Sequence, residues 1–600
     1  MNEVILKQKI NGNDLIGWFS YGAEEVGLHK KHLNEINVFP IADGDTGTNL
    51  VTTLTAMVEL AHRKDAFGGM MTAISEAGMA HARGNSGIIF ASYINGLAME
   101  SSAYDEIGKK EFSQAAFKAV DYLYEAIENP VKGTMITVIS DWAEFLFVNH
   151  EKYLGFDDFL AAAYKIARES LEKTTQQMEI LRKHNLVDAG AQGFVNFLKG
   201  INRFFLKEQV ASSSDPVIKQ PVYFDDQEPG EKQFCSEFLI KLKPAALDAA
   251  TTVTDLKNDL TALGVSIIVF SQANKMKIHV HTDQPDAVVQ RLLQDGTIIQ
   301  QKIEDMRFQR NIKINQRARI AIVTDSIADL PESFKLEHQI HTLSLGLMFG
   351  ENPYFDKQTI KLNQLDALIN DATGYPTSSQ PEPRRVANLL EELAENYDSI
   401  LFITVSDQLS GTFKTVSREA KKLEELGKKI TVIDSRLNSG AQGLLVKRAA
   451  ELVARNKSHD EIVTALKETI PKTKIYVCLD TLDYAVRGGR VSNTVGRVGK
   501  MVGLRPIMTL DEKGAGATFS AALSKEGITR KILKLVEKTM ATKGIDGYSI
   551  VHAENLELAL EYQKKLVKIV GKEPEFIAEI SSIIAINSGI GTVAVCIRSN

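Results

Sequence analysis

The residues best suited to chemistry in this 600-residue chain lie in Asn37-Val38-Phe39-Pro40-Ile41-Ala42-Asp43-Gly44-Asp45-Thr46-Gly47-Thr48-Asn49. Asp43 and Asp45 stand one residue apart on a glycine-hinged turn, with Asn37 as a further oxygen ligand. Carboxylates so spaced can converge on one point, and hard oxygen donors on a loop suit Mg²⁺ whose shell is completed by phosphates. Leu50, Leu54, Val58 and Ala61 follow at helical spacing, so a helix beginning near Asn49 aims unpaired N–H groups and a positive dipole end at that point. Asp-Gly-Asp-Thr-Gly is equally good turn chemistry, and the stretch by itself does not separate the two readings.

Two later segments repeat the shape. Ala82-Arg83-Gly84-Asn85-Ser86-Gly87 leads into Ile88, Ile89, Ala91, Ile94 and Leu97, a small-residue loop opening a helix that can admit phosphate against backbone N–H groups. Asn185-Leu186-Val187-Asp188-Ala189-Gly190-Ala191-Gln192-Gly193 is the third. In this order the three loops resemble the nucleotide-binding subunit of the dihydroxyacetone kinases. They resemble more closely the amino-terminal domain of the bacterial fatty-acid kinase catalytic subunit. The resemblance implies an all-α helical-barrel kinase domain that binds ATP and Mg²⁺. It implies nucleotide-side roles for Thr46, Thr48, Asn49, Asn85, Ser86, Gly87, Asp188 and Gly190. Gly133-Thr134-Met135-Ile136-Thr137-Val138 matches the family's fourth nucleotide-side segment, through Thr134, and reads equally well as a buried helix start.

At this length several domains are expected. With 44% hydrophobic and 24% charged residues the composition is that of a globular protein. A net charge of −6 and a pI near 6.1, with no basic block, argue against a nucleic-acid binder. No apolar stretch reaches membrane-spanning length and the first residues lack a secretory pattern, so a cytoplasmic protein without a transmembrane segment is expected. Cys235, Cys478 and Cys596 are too few and scattered for a disulfide framework.

Residues 1–206 read as successive helices, for example Phe117–Leu123 and Phe159–Ala167 with apolar faces at helical period. The polar stretch 207–232 reads as a linker. Residues 233–308 alternate strand-like and helix-like patches: strands over 238–242, 266–270 and 276–280, and helices over 253–263 and 285–293. This is a small α/β domain. Here His279 and His281, at i and i+2 of a strand, share a face, and Cys235 on a neighbouring strand would complete three ligands for Zn²⁺. The fourth position is left to water, Glu237 or Asp283. A bare His-x-His is more often a pair of solvated strand histidines. The middle domain of the fatty-acid kinase catalytic subunit is similar to Cys-x-Glu-Phe followed by His-Val-His-Thr, which favours the metal reading. The expectation is a structural or partner-facing site, because no phosphate cradle is evident nearby.

Residues 309–318 read as a short basic connector. Beyond it, Ile320–Ser326 and Ile400–Val405 are buried-type strands, and strands at 429–433 and 475–479 with intervening helices extend a βαβ series and a largely parallel sheet. Ligands of such sheets sit beyond the strand carboxyl ends. Thr377-Ser378-Ser379-Gln380-Pro381, Ser406–Thr412 with Ser410, Asp434-Ser435, Arg487–Ser492 and Thr324–Pro331 stand there, and over 319–600 they resemble the DegV family of fatty-acid-binding proteins. Hydroxyls and an arginine suit a carboxylate head group. The resemblance places Ser378 and Ser410 at an acyl carboxylate and Arg487 at carboxylate or phosphate. For Ser410 a turn or helix-cap role is equally good. The family's usual His-Thr-Gly-Pro-Gly turn is replaced by Asn587-Ser588-Gly589-Ile590-Gly591, and Asn587 can hydrogen-bond a head group but carries no charge.

Together the motif sets imply a fatty-acid kinase fused to its acyl carrier: Asp43, Asp45 and Asn37 at Mg²⁺, Arg487 at the reacting groups, and an acyl phosphate as product. A homodimer and an acyl-phosphate acceptor of phospholipid synthesis are the partners the resemblance adds. A lipid-binding regulator that senses nucleotide, and a kinase of a small hydroxy substrate such as dihydroxyacetone, are the alternatives.

Overall fold

Asparagine and aspartate set the first helix. In the computed structural model, which describes residues 7–39, 44–207, 232–246, 249–371, 374–479, 481, 483–488 and 504–600, Asn11 accepts from the amides of Asn13 and Asp14 and Asp14 answers on the Asn11 amide. That capping box starts Gly12–Leu28. Asp43, almost all of the 207–232 stretch and the loop from Gly489 to Ser492 lie outside the described residues. The chain forms two compact units, Met1–Ile314 and Asn315–Asn600.

In the first unit, amphipathic helices turn their apolar stripes inward around Trp18, Phe112, Trp142, Phe156 and Phe194, whose rings meet mostly edge to face. Gly12–Leu28 packs on both Thr46–Glu59 and the last helix, Ala189–Leu206, which closes the ring of helices. The two ring-closing helices approach so tightly that a Cβ on Gly200 would stand 2.3 Å from the Tyr21 carbonyl oxygen. Among the described residues to 207 the one β-ladder pairs Lys9–Ile10 with Ile107–Gly108.

The middle part is a four-stranded antiparallel sheet in the order Gly264–Gln272, Lys275–Thr282, Phe234–Leu242, Gly296–Asp305. Pleating puts Cys235, Glu237 and Leu239 on one face, opposite His281, His279 and Lys277. Leu239, Ile268 and Phe270 from this face join the core of the helices, so the helical and middle parts share one interior. The expected strands are longer than the patterning suggested, and the Gly296–Asp305 strand has no counterpart in the sequence reading. Its mixed exposure is that of an edge strand with weak alternation. Residues 309–318 are not simply a connector: Met306–Ile314 is a helix.

The second unit holds a four-stranded parallel sheet, in the order Lys429–Asp434, Ser399–Thr404, Ile320–Asp325, His341–Leu343. The run at 475–479 does not extend it. Thr473–Cys478 lies in a separate six-stranded sheet, antiparallel to both Val593–Ser599 and Arg505–Leu510. An apolar strand pattern encodes burial but not sheet membership, which is decided by partners distant in sequence. Asp325 ties the strand ends of the parallel sheet, accepting from the amides of Val405 at 2.7 Å and Ile327 at 3.2 Å and from Gln442 at 3.1 Å. Asp329 binds Lys357 and Ser439 and accepts from the Ser581 amide at 2.9 Å, stitching the two sheets' connections together. The three cysteines are buried, and among the described residues they form no disulfide. No helix among the described residues is long and apolar enough to cross a membrane.

Candidate functional site

The Asp45 turn is built by its neighbours. Gly44 sits at φ +60°, and a Cβ there would lie 3.2 Å from both the Asn34 carbonyl oxygen and Lys313 Nζ, so the left-handed turn and its crowding both call for glycine. Thr46 Oγ1 donates to Asn37 Oδ1 at 2.7 Å, and Thr48 exchanges two 3.1 Å bonds with the Asn34 side chain. The first turn of Thr46–Glu59 is thereby fixed, with Thr48 already committed. Asp45 makes no side-chain hydrogen bond or ion pair to another described residue, and its carboxylate is on the pocket wall.

The second loop is stitched to that helix. Thr53 Oγ1 donates to the Asn49 carbonyl at 2.7 Å and accepts from the Arg83 amide at 3.1 Å. Gly84 has φ +59°, and a Cβ on it would meet Asn49 Nδ2 at 2.1 Å. The third loop arrives from the other side: a Cβ on Gly190 would lie 3.0 Å from Ser86 Oγ. Three segments far apart in sequence therefore converge, as their shared pattern suggested.

They do not converge equally. The pocket encloses about 440 Å³ including its open mouth, and its wall takes Asn37, Asp45, Thr46, Asn49, Asn85 and Ser86 from the helical part. Asp188, Gly190, Thr134, Gly87 and Thr48 are not in that wall. Thr134 donates to the Val131 carbonyl at 2.8 Å, the buried helix start that was its second reading. Asp188 is the cap of Ala189–Leu206, accepting from the Ala191 amide at 2.7 Å and also from the Met135 amide at 3.0 Å, so it clamps two helix starts.

Burial pushes the Asp188 carboxyl up to about 6 against the pull of those two amides. Because the folded value exceeds the ordinary 3.8, the folded chain holds the extra proton and stability falls as pH rises from 3.8 through about 6. Asp188→Asn keeps an acceptor for both amides and is expected to lose this fall, seen as a smaller drop in unfolding midpoint between pH 5 and pH 7.5. Asp188→Ala strands both amides and should cost about 1–3 kcal/mol at either pH.

The remaining wall comes from the middle part: Cys235, His281, Glu304, Met306 and Gln309. Cys235, His279 and His281 offer one ligand atom each within 4.8 Å of one another, all buried, and His279 Nε2 is buried without a partner. One sulfur and two imidazole nitrogens so placed fit Zn²⁺. Burial lowers His279 to about 4, against the attraction of Glu237, and burial also depresses His281, so both rings are neutral and able to bind metal. Of the proposed fourth ligands, Asp283 is held by the Gln233 amide at 2.9 Å and Lys232 at 3.1 Å, and Glu237 is turned to the Gly84 amide. The cluster is therefore not remote from a phosphate cradle: Cys235 and His281 share a wall with Asn85 and Ser86. The expectation of a structural or partner-facing site rested on no phosphate cradle being evident nearby, and the loop read as one stands in the same wall. Cross-strand placement of the triad was readable from i, i+2 spacing; its apposition to the loops depends on tertiary docking and was not.

In the second unit, Ser378 lies in the short strand Thr377–Ser379, exposed. Gln380 packs so closely on Gly411 that a Cβ there would stand 2.3 Å from Gln380 Nε2, which brings the Ser378 and Ser410 loops together. Ser410 Oγ bonds Thr412 Oγ1 at 2.8 Å at the start of Thr412–Glu424, so its turn role is realised. Arg487 and Asn587 form a second group: a Cβ on Gly488 would meet Asn587 Oδ1 at 2.4 Å, and Asn587 Nδ2 donates to the Ile583 carbonyl at 3.0 Å. Tyr375 joins the groups, with the Arg487 guanidinium 6.0 Å from its ring centroid and its hydroxyl bonded to the Ile586 carbonyl. Nothing in its sequence context marked Tyr375.

Family models match in three successive blocks: the DAK2 domain over residues 40–203, the FakA-like middle domain of fatty acid kinase over 231–313, and the DegV family of uncharacterised proteins over 319–600. Protein YloV of Bacillus subtilis is 29% identical over 316 residues, 50% of this chain and 56% of that protein. The chain thus spans about half the length of that relative. A DegV domain-containing protein of Clostridium acetobutylicum is 28% identical over 280 residues, 46% of this chain and 97% of its own. Among solved structures, DegV of Bacillus subtilis, described as a fatty acid binding protein, is 27% identical with a TM-score of 0.41, covering 47% of this chain and all of that one.

Proposed function

From a chain that joins a DAK2 domain, a FakA-like middle domain of fatty acid kinase and a DegV-family domain, we propose an ATP-dependent kinase of fatty acids whose acyl carrier is its own second unit. The observation that carries the kinase half is the single pocket walled by Asp45, Asn49, Asn85 and Ser86 from the helices and by Cys235 and His281 from the sheet. The carboxylate oxygen attacks the γ-phosphorus of ATP. The bond from that phosphorus to the bridging β-phosphate oxygen breaks, leaving acyl phosphate and ADP.

A fatty-acid carboxylate is already ionised at neutral pH, so no general base is needed and catalysis is positioning and electrostatics. Asp43, Asp45 and Asn37 would hold Mg²⁺, and Cys235, His279 and His281 would hold Zn²⁺; a divalent cation supplies shielding of charge between the two anions. Asn85 and Ser86 present backbone and side-chain donors to phosphate. Ser378, Ser410 and Arg487 seat the acyl head group, with Asn587 beside Arg487. Carrying both halves on one chain substitutes an effective concentration on the order of millimolar for a docking equilibrium.

The test is lipid extraction and mass spectrometry of the purified chain, then ATP turnover with and without added fatty acid in the presence of hydroxylamine. Equal amounts of ADP and acyl hydroxamate, both dependent on fatty acid, are expected. Asn587 motivates a second reading, a nucleotide-sensing lipid-binding regulator, because an uncharged amide stands where the DegV pattern has histidine. Copurifying lipid and bound nucleotide without hydroxamate would establish that reading instead.

A further inference from the structure

Glu237 lies in the middle of Phe234–Leu242, 1% exposed, on the sheet face that meets the helices. Its Oε1 accepts from the Gly84 amide at 2.7 Å. Its Oε2 stands 3.6 Å from Lys277 Nζ and 3.7 Å from Arg83 Nη1. Lys277 is itself 4% exposed, so the carboxylate and this ammonium compensate one another away from water. The neighbouring Lys302 has its own carboxylate, Glu304, at 2.6 Å.

The place of the Gly84 bond matters more than its strength. Gly84 provides the first amide of the Gly84–Ser101 helix, and the next two residues, Asn85 and Ser86, are pocket wall. On its helical side the loop is anchored by Thr53 through the Arg83 amide; on its sheet side it is anchored by Glu237 through the Gly84 amide. A fixed carboxylate at a helix start also fills one of the donor positions that a phosphate would otherwise take, which leaves Asn85 and Ser86 to read the ligand.

We propose that Glu237 is a positioning residue of the nucleotide site: from the middle sheet it sets where Asn85 and Ser86 present their donors. The inference rests on the nucleotide reading of the pocket. It implies that Glu237, which is not in the pocket wall, governs nucleotide affinity without touching nucleotide.

The experiment measures binding of a fluorescent ADP analogue with Mg²⁺, together with thermal unfolding, on the full chain carrying Glu237→Gln alone or with Lys277→Met. The single variant leaves the Lys277 charge uncompensated and should lower the unfolding temperature as well as raise the nucleotide Kd about tenfold or more, the scale of one hydrogen bond to a charged group. The double variant removes both buried charges, and its unfolding temperature should return toward wild type. Its Kd should stay about tenfold raised, because a neutral amide still replaces the carboxylate at Gly84. A Kd that recovers with stability, or never changes, overturns the proposal and leaves the kinase reading standing. A wild-type chain that binds no nucleotide overturns both.

Discussion

With Asp43 and Asp45 both replaced by alanine, acyl phosphate formation is expected to fall by about a thousandfold or more, while the fatty acid extracted from the purified chain stays the same. The reason is the meeting of two anions. Unit charges about 4 Å apart at an effective dielectric of about 20 repel by roughly 4 kcal/mol, and a barrier raised by that amount is about three decades in rate. Under the proposed function Asp45 holds the shielding cation. Its carboxylate is on the pocket wall without another described partner, whereas Asn37 and Thr46 are fixed around it by their own 2.7 Å bond. Because the Asp45 side chain gives up no hydrogen bond or ion pair to another described residue, Asp45→Ala should leave the unfolding temperature within about a degree of wild type. Hydroxamate trapping, lipid extraction and thermal unfolding on one preparation check all three arms. Retained turnover at the wild-type rate would remove the aspartates from the chemistry.

The second large effect is expected at the sheet. Cys235→Ala with His281→Ala should take bound zinc from about one ion per chain to none, measured by elemental analysis, and should abolish acyl phosphate formation. Cys235, His279 and His281 would hold the ion as three protein ligands, the number that catalytic zinc keeps with one position open, whereas structural zinc is closed by four. Glu237 and Asp283 are both committed to other partners, so the fourth position is not theirs. Measuring ADP binding alongside separates a chemical role from a structural one: affinity should change by no more than about threefold, since neither side chain replaces a donor of the Asn85 loop. Zinc-free double variant with undiminished turnover would return the cluster to a structural role.

Much of this arrangement was legible in residue order. Helical periodicity located the helices that form the ring, and alternation located three of the four middle strands, because both report a face that must leave water. The triad was legible for the same reason, since period two puts His279 and His281 on one side. What sequence did not carry is what the faces meet. Leu239, Ile268 and Phe270 read as ordinary strand residues, yet they belong to the core of the helices, and with them Cys235 and His281 are brought to the wall that Asn85 and Ser86 share. The basic tract at 309–318 looked like a connector because Arg310, Lys313 and Arg317 dominate its composition. Met306 and Gln309, three residues apart on one side of the Met306–Ile314 helix, reach the pocket wall. In the second unit the parallel sheet followed from βαβ order. The assignment of 475–479 failed because the chain crosses to a new sheet after two helices, and local patterning has no mark for that crossing.

Two compact units in a single polypeptide also fix their stoichiometry. Under the proposed function each catalyst owns one cargo holder, translated with it and inseparable from it. A cell then cannot retune the fatty acids it activates by expressing a different holder; the choice is written once, into the same reading frame as the kinase. A poorly reacting acid lodged in the holder stalls its own partner and no other, so mixtures should be consumed with a rate set by how quickly cargo exchanges.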